Sequence, residues 1–316
     1  MTNLVPTCWI ITEGIAGTEN QCIGVARALG LLPEMKRIQL NQPWKLLSPY
    51  LAFEREATFS TALTPPWPDL LITSGRKSIA ASRYIKRKSG GKTFTVHIQD
   101  PRINPHCFDL LAVPAHDPTR GKNVIVTTAA PNKITPSALE NAKHAFPRFA
   151  DLKAPRIAVL IGGNSKAYQM NDRITENLVE KLRGLQGSLM ITCSRRTGER
   201  NKNIILSNLA TESNYIWDGF EDNPYLALLA WADFILVTAD SVSMLSEGCS
   251  TGKPVYMIPL SGGTKRILAL HNNLKKMGAM REFTGTLEKF SYEPLNDAKL
   301  VANEIKKRSK LFTDST

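Results

Sequence analysis

Short apolar runs alternate with amphipathic runs along most of the chain. Residues 7–12 (TCWIIT) form one such apolar run and read as a buried strand. A polar, glycine-bearing stretch at 14–21 then predicts a loop. Beyond it Cys22, Val25, Ala26 and Leu29 recur at helical spacing, and Gly30 supplies a stop. Residues 69–73 (DLLIT) repeat the strand, Ser74 and Gly75 the turn, and Ile79, Ala80, Tyr84 and Ile85 the helix face. Residues 94–98 and 110–113 are further short apolar strands.

The texture changes at 146–155, which carries two prolines, mixed charge and no period, and reads as a linker. The pattern then restarts. Residues 156–161 (RIAVLI), 189–193, 234–237 and 255–258 read as strands; Ile174, Leu178 and Leu182 share one helix face, and a helix through Val242, Leu245, Ser246 and Cys249 stops at Gly252 and Pro254. Residues 295–311 form a basic amphipathic helix. Strands alternating with helices imply parallel sheets. The expected architecture is two Rossmann-like doubly wound α/β domains, 1–148 and 155–290, with the C-terminal segment 294–316 joining the first. Ligands of such domains sit outside the carboxyl ends of the strands, in the crevice between domains. The loops after Thr12, Thr73, Ile98, Ile161, Cys193, Val237 and Ile258 are therefore where chemistry is expected.

Composition adds three constraints. A length of 316 residues suits about two domains, and 42% hydrophobic with 22% charged residues is ordinary globular usage. Forty Lys and Arg against 28 Asp and Glu leave a net charge of +12, which points to an anionic partner: nucleic acid, a phosphorylated small molecule or an acidic membrane surface. No nucleic-acid module is recognisable, and the basic residues are dispersed among loops, so nucleic acid is not expected. Five cysteines, none in a C-x-x-C spacing, speak against a disulfide framework or zinc ribbon and for a reducing compartment. Residues 1–6 show no secretory pattern. The longest apolar stretch, 226–237, contains Asp233 and falls short of the ~20 residues of a membrane span, so a cytoplasmic chain is expected.

The loops carry the polar chemistry. After the first strand, Gly14 and Gly17 let backbone approach a ligand, with Thr18 or Asn20 as the helix cap. Asp100 and Arg102 end another strand, either as a structural ion pair or facing the cleft. Gly162, Gly163, Asn164 and Ser165 suit close approach to phosphate. Ser194, Arg195, Arg196 and Thr197 can neutralise a diphosphate. Asp240 or Ser241 caps the next helix, Ser241 and Ser243 can grip phosphate at its N-terminus, and Glu247 lies near the Ser243 face, where a carboxylate can accept a ribose diol. Gly262, Gly263, Thr264, Lys265 and Arg266 add backbone, a hydroxyl and two cations. Each loop alone has an ordinary reading as a tight turn, a basic turn or a capped helix; four on one rim point together to a nucleotide-like anion. There is no G-x-x-x-x-G-K-[ST], no G-x-G-x-x-G after a strand, no H-E-x-x-H, no D-x-D and no G-x-S-x-G, and the five histidines are scattered, so no metal site is expected.

These residues, from Thr12-Glu13-Gly14, Gly17 and Glu19-Asn20-Gln21 through Gln99-Asp100-Pro101-Arg102, Gly162–Ser165, Ser194–Thr197 and Asp240–Met244 to Glu247, resemble the bacterial branch of the Elm-type mitochondrial fission family. The resemblance runs from about Cys8 to Gly285, with Glu13 standing where the family has Asp. It implies an architecture similar to the GT-B glycosyltransferases and nucleotide-sugar epimerases, two Rossmann-like domains facing across a cleft with the nucleotide held by the C-terminal one.

The expectation that follows is an inverting, metal-independent glycosyltransferase with a nucleotide-sugar as co-substrate and no other cofactor. Gly14, Gly17, Gly162, Gly163, Asn164, Ser165, Ser194, Arg195, Arg196, Thr197, Asp240, Ser241, Ser243, Met244, Glu247, Lys265 and Arg266 would hold the donor, and Glu13 or Asp100 would take the acceptor proton. The acceptor would be a membrane lipid or envelope component, with the basic clusters Lys86-Arg87-Lys88/Lys92 and Lys306-Lys307-Arg308/Lys310 drawing the chain to the inner membrane. The alternatives are a non-catalytic adaptor of the same shape and a nucleotide-sugar epimerase or hydrolase. Oligomeric state is not legible.

Overall fold

The apolar runs become two parallel sheets. The structure, a computed structural model, describes residues 5–312. The chain divides into two compact units, one running to Lys133 and resuming at Asn296, the other spanning Ile134–Leu295.

The first unit holds β1 (Cys8–Thr12), α1 (Ala16–Ala28), β2 (Glu34–Arg37), α2 (Trp44–Leu47), β3 (Leu70–Ser74), α3 (Ser78–Lys88), β4 (Phe94–Ile98), β5 (Leu110–Pro114) and β6 (Val124–Thr127). Its six strands are all parallel, in the order β2-β1-β3-β4-β5-β6. Period-two geometry splits β1 between two cores. Cys8 and Ile10 pack with Cys22 and Val25 of α1 and its C-cap Leu29, and with Val301 and Ile305 of the C-terminal helix Asp297–Arg308. Trp9 and Ile11 pack with Ala80, Ala81, Tyr84 and Ile85 on the opposite face. Burying a side chain such as Ile10 completely contributes about 1.5–3 kcal/mol, so both faces add to the unit's stability. The C-terminal helix is fastened by Asp297, whose carboxylate accepts the Thr128 and Ala129 N–H groups at 2.8 and 3.0 Å. Residues 1–4, and residues 313–316 of the segment expected as helix, lie outside the described residues.

Two expectations change here. The polar stretch at 14–21 is mostly helix: α1 begins at Ala16, Ile15 is its N-cap, and Gly17 sits inside its first turn. Neither Thr18 nor Asn20 caps it; the Thr18 hydroxyl donates back to the Ile15 carbonyl at 2.7 Å. The polarity reflects what this turn contacts, because Glu19 is clasped by Arg37 at 2.7 and 3.0 Å. Strand β2 (EMKR) has no apolar signature, which suits its place at the sheet edge.

The second unit holds α4 (Pro136–Ala145), β7 (Arg156–Ile161), β8 (Tyr168–Gln169), α5 (Asp172–Arg183), β9 (Ser188–Cys193), α6 (Glu199–Leu209), β10 (Tyr215–Ile216), α7 (Tyr225–Trp231), β11 (Phe234–Thr238), α8 (Val242–Cys249), β12 (Val255–Ile258), β13 (Ser261–Gly262), α9 (Lys265–Lys276) and β14 (Met280–Glu282). Its main sheet is parallel in the order β10-β9-β7-β11-β12-β14, which within the unit is 3-2-1-4-5-6. A two-stranded antiparallel ribbon, β8 with β13, stands apart from it. The segment read as a linker at 146–155 is packed into this unit. Phe149 is fully buried, stacked on Phe146 at 5.8 Å and edge-on to Tyr215 at 4.8 Å, and Arg148 pairs with Glu221. The units therefore part at Lys133, not at 148–155; Pro147 opens a short 3-10 helix, Pro147–Asp151, and Pro155 immediately precedes β7. The apolar stretch 226–237 divides into α7 and β11, and no helix among the described residues is long and apolar enough to cross a membrane.

Candidate functional site

In a sheet of order 3-2-1-4-5-6 the chain leaves β7 and β11 in opposite directions, which opens a crevice at their carboxyl ends. The loops there are the ones rich in glycine, hydroxyl and charge. Asp240, one residue past the β11–Ala239 stretch, is buried, and its Oδ2 accepts the Gly163 N–H at 3.1 Å and the Arg196 guanidinium at 2.6 Å. Gly162 is required by this contact: a Cβ there would stand 2.3 Å from the same carboxylate. Gly163 lies at φ +133°, with the Arg196 carbonyl 2.3 Å from where a Cβ would be. The Asn164 N–H donates to that carbonyl at 2.9 Å, so the loops after β7 and β9 are joined through backbone.

This changes the roles assigned to several hydroxyls. Ser194 and Thr197 both donate to the Gly162 carbonyl, at 2.6 and 2.7 Å, so they brace the loops and are not aimed outward. Ser165 Oγ accepts the Ala167 and Tyr168 N–H groups, and Asn164 Oδ1 accepts that of Met170 at 2.8 Å; these side chains shape the turn into the β8 ribbon. Ser241 is the N-cap of α8, accepting the Met244 N–H at 3.4 Å, while Asp240 makes no cap. Ser243 and Met244 remain half-buried in the first turn, where helix N–H groups and the dipole favour an anion. Arg195, Lys265 and Arg266 are exposed, and Arg196 keeps 43% of its side chain open. Thr264 caps α9, which starts at Lys265.

Glu247 is buried one turn beyond Ser243 and accepts a 2.5 Å hydrogen bond from the Tyr225 hydroxyl. Burial first, and Glu247 second, hold that phenol well above its usual pKa, so it stays a donor. Sequence reading missed Tyr225 because it belongs to the apolar stretch of α7, and only the fold brings α7 beside α8. Tyr168 of β8 and His271 of α9, the latter one of the five scattered histidines, likewise come near Asp240 and Ala239 only through the fold. Both are buried; Asp240 adds to the burial that raises the Tyr168 pKa, and burial lowers that of His271, which hydrogen-bonds the Ala239 backbone.

The first unit has its own switch point, between β1 and β3 in the order 2-1-3-4-5-6. Glu13 lies there: its Oε1 accepts the Lys77 N–H at 2.9 Å and stands 3.9 Å from the Lys77 ammonium. Gly14, at φ +83°, donates its N–H to Thr12 Oγ1 at 3.0 Å and lies against the Arg37 side chain. Asp100 makes no ion pair with the Arg102 side chain. Its Oδ1 accepts the Arg102 N–H at 2.8 Å and the Thr119 hydroxyl at 2.9 Å, with Gln99 and Arg102 both at positive φ. Nearby His97 is buried and pushed down to about 3, chiefly by desolvation, so it is neutral and does not serve as a proton shuttle near pH 7. Glu13, Gly14 and Asp100 thus belong to the first unit, and the residues from Gly162 to Arg266 to the second.

The geometry now has relatives to be set against. A family model described as Mitochondrial fission ELM1 matches residues 16–309. The chain belongs to this family. Mitochondrial fission protein ELM1 of Arabidopsis thaliana is 28% identical over 391 aligned residues, covering 96% of this chain and 91% of that protein. Among solved structures, UDP-GlcNAc 2-epimerase of Methanocaldococcus jannaschii in complex with UDP-GlcNAc and UDP has a TM-score of 0.57 at 14% identity, covering 95% of this chain and 99% of that one. A UDP-glucosyltransferase from Polygonum tinctorium has a TM-score of 0.51 at 10% identity, covering 98% and 90%. The ELM1-family chain described here therefore has the GT-B-like α/β fold shared by glycosyltransferases and epimerases.

Proposed function

We propose that this ELM1-family chain transfers a sugar from a nucleotide-sugar donor to the hydroxyl of a membrane-lipid or envelope acceptor, with inversion and without a metal. The observation that carries the reading is the Gly162–Gly163–Asp240–Arg196 cluster at the switch point of the second unit's sheet, beside the first turn of α8. The UDP and UDP-GlcNAc named for the epimerase complex are the ligand class that such a rim suits. The helix N–H groups around Ser243, ahead of the capped Met244, take the diphosphate, Arg196 with Arg195, Lys265 and Arg266 offset the leaving-group charge, and Glu247 accepts the ribose hydroxyls while Tyr225 orients it. Glu13 is the proposed base for the acceptor proton, with Asp100 as the other candidate. Each keeps one carboxylate oxygen with no described partner, Oε2 and Oδ2 respectively.

Calorimetry with UDP, CDP, GDP and CMP tests the donor site; absence of binding tighter than millimolar removes it. Glu13→Gln should then abolish transfer while leaving nucleotide affinity unchanged. An epimerase is the second reading, favoured by the UDP-GlcNAc 2-epimerase likeness. It predicts interconversion of the sugar with no acceptor present, which product analysis separates from transfer. A chain that binds none of these nucleotides is better described as an adaptor.

A further inference from the structure

Exposed apolar side chains scattered singly are normal on protein surfaces. In the first unit several stand singly, such as Leu32 and Val126, but four gather in one short segment. Within eight residues, Leu46 is 70% exposed, Leu47 47%, Tyr50 67% and Phe53 82%. Apolar exposure concentrated in so short a segment marks a candidate binding surface.

The segment is also held rigidly in place. Arg83 of α3 donates to the Pro49 and Leu51 carbonyls at 2.9 and 2.8 Å and pairs with the buried Glu54. Arg76 donates to the Leu46 carbonyl at 3.0 Å and to that of Ser48. Arg87 donates to the Glu54 carbonyl. Phe53 is carried at φ +65°, a backbone conformation that a bulky side chain rarely adopts, while its neighbour Glu54 is buried. Three arginines thus grip the backbone from below and leave the apolar side chains outside.

Charge identifies the occupant. Lys45, Arg55 and Arg76 are exposed beside these side chains, and none has a carboxylate partner among the described residues. Of the two acidic residues nearest in sequence, Glu54 is neutralised by Arg83 and Arg87, and Glu56 is exposed beside Arg55, so the cations remain in excess. The clusters read from sequence are less available: Lys86 pairs with Asp109, Arg87 with Glu54 and Arg308 with Glu304. Protruding Leu, Tyr and Phe flanked by Lys45 and Arg55, with the Arg76 charge held beneath them by carbonyls, match the interfacial layer of an anionic bilayer, where apolar groups enter the acyl boundary and cations meet phosphate.

We propose that the segment from Trp44 to Arg55 docks this protein on an anionic membrane through Leu46, Leu47, Tyr50 and Phe53. The proposal deepens the reading of a lipid acceptor. Arg76 holds the segment, the adjacent Lys77 holds Glu13, and Ile15, two residues on, is 57% exposed. A lipid hydroxyl entering beside this surface arrives next to the proposed base.

The test is flotation of the full chain with vesicles of phosphatidylcholine alone or with about 30% phosphatidylglycerol, at about 0.1 and 0.5 M salt. Wild type should float with the anionic vesicles and keep part of its binding at the higher salt. Leu46→Ser/Leu47→Ser/Phe53→Ser should lower partitioning by at least about tenfold, and Phe53→Ser alone by about threefold. Lys306→Glu/Lys307→Glu should change it less than twofold. Wild-type flotation by the triple variant overturns the proposal, as does wild type that floats with neither vesicle, which would make a protein the partner. UDP calorimetry on the same proteins separates the two readings. Lost flotation with intact nucleotide binding confirms a folded variant and the docking surface, and flotation without nucleotide binding sinks the transferase while leaving the surface standing.

Discussion

Arg196 and Asp240 form the ion pair on which the donor rim is built, and its strength can be bounded from burial. The Asp240 side chain is fully buried, whereas Arg196 is 43% exposed. Exposed pairs contribute about 0–1 kcal/mol, and removing one partner of a fully buried pair costs about 3–5 kcal/mol. A pair with one partner in each environment should couple by about 2 kcal/mol. Arg196→Met leaves Asp240 buried with only the Gly163 N–H at 3.1 Å, so it should be the more damaging single change. Asp240→Asn keeps a polar partner for both. A double-mutant cycle in urea, with Arg196→Met, Asp240→Asn and both together, measures the ionic part of the coupling, since Asn retains a neutral acceptor. Coupling below about 0.5 kcal/mol would refute the claim that this pair organises the loops. The same four proteins separate structure from binding: UDP affinity should fall further in Arg196→Met than in Asp240→Asn, because only the first removes the cation. Equal affinity in both would mean that Arg196 serves the fold alone.

Three further outcomes are expected. Gly162→Ala puts a methyl group 2.3 Å from the Asp240 carboxylate and should lower the thermal midpoint by several degrees while abolishing nucleotide binding; an unchanged midpoint would show that the loop yields. Tyr225→Phe should weaken UDP binding several-fold with little change in the turnover number, since the hydroxyl only orients Glu247; a selective fall in turnover would place Tyr225 nearer the chemistry. His97, held neutral at about 3 against an ordinary 6.5, contributes stability that is fully present above pH 6.5 and erodes as the pH falls toward 3. The loss approaches about 1.4 kcal/mol per pH unit and roughly 5 kcal/mol in all, so the stability gap between wild type and His97→Gln should shrink by about 2 kcal/mol between pH 7.5 and 5. A constant gap would show that His97 does not titrate on unfolding as described.

The sequence by itself determined the strands that lie at the centres of both sheets. Residues such as Ile10, Leu71, Val159 and Leu236 are buried on whichever face they point to, and an unbroken apolar run records that directly. It also determined which loops matter, since glycine, hydroxyl and charge gather where parallel strands end. What it could not carry was direction. Ser194 and Thr197 read as outward donors, yet they close on the Gly162 carbonyl, because a hydroxyl's partner is set by a strand more than thirty residues away. The unit boundary was hidden because Phe146, Phe149 and Arg148 look irregular along the chain and become a packed aromatic cluster only against Tyr215 and Glu221. Edge strand β2 and the start of α1 were hidden likewise, their polar residues being explained by the Glu19–Arg37 clasp. Periodicity reports burial, a one-dimensional property averaged over neighbours; partnership between side chains distant in sequence exists only once the sheets have formed.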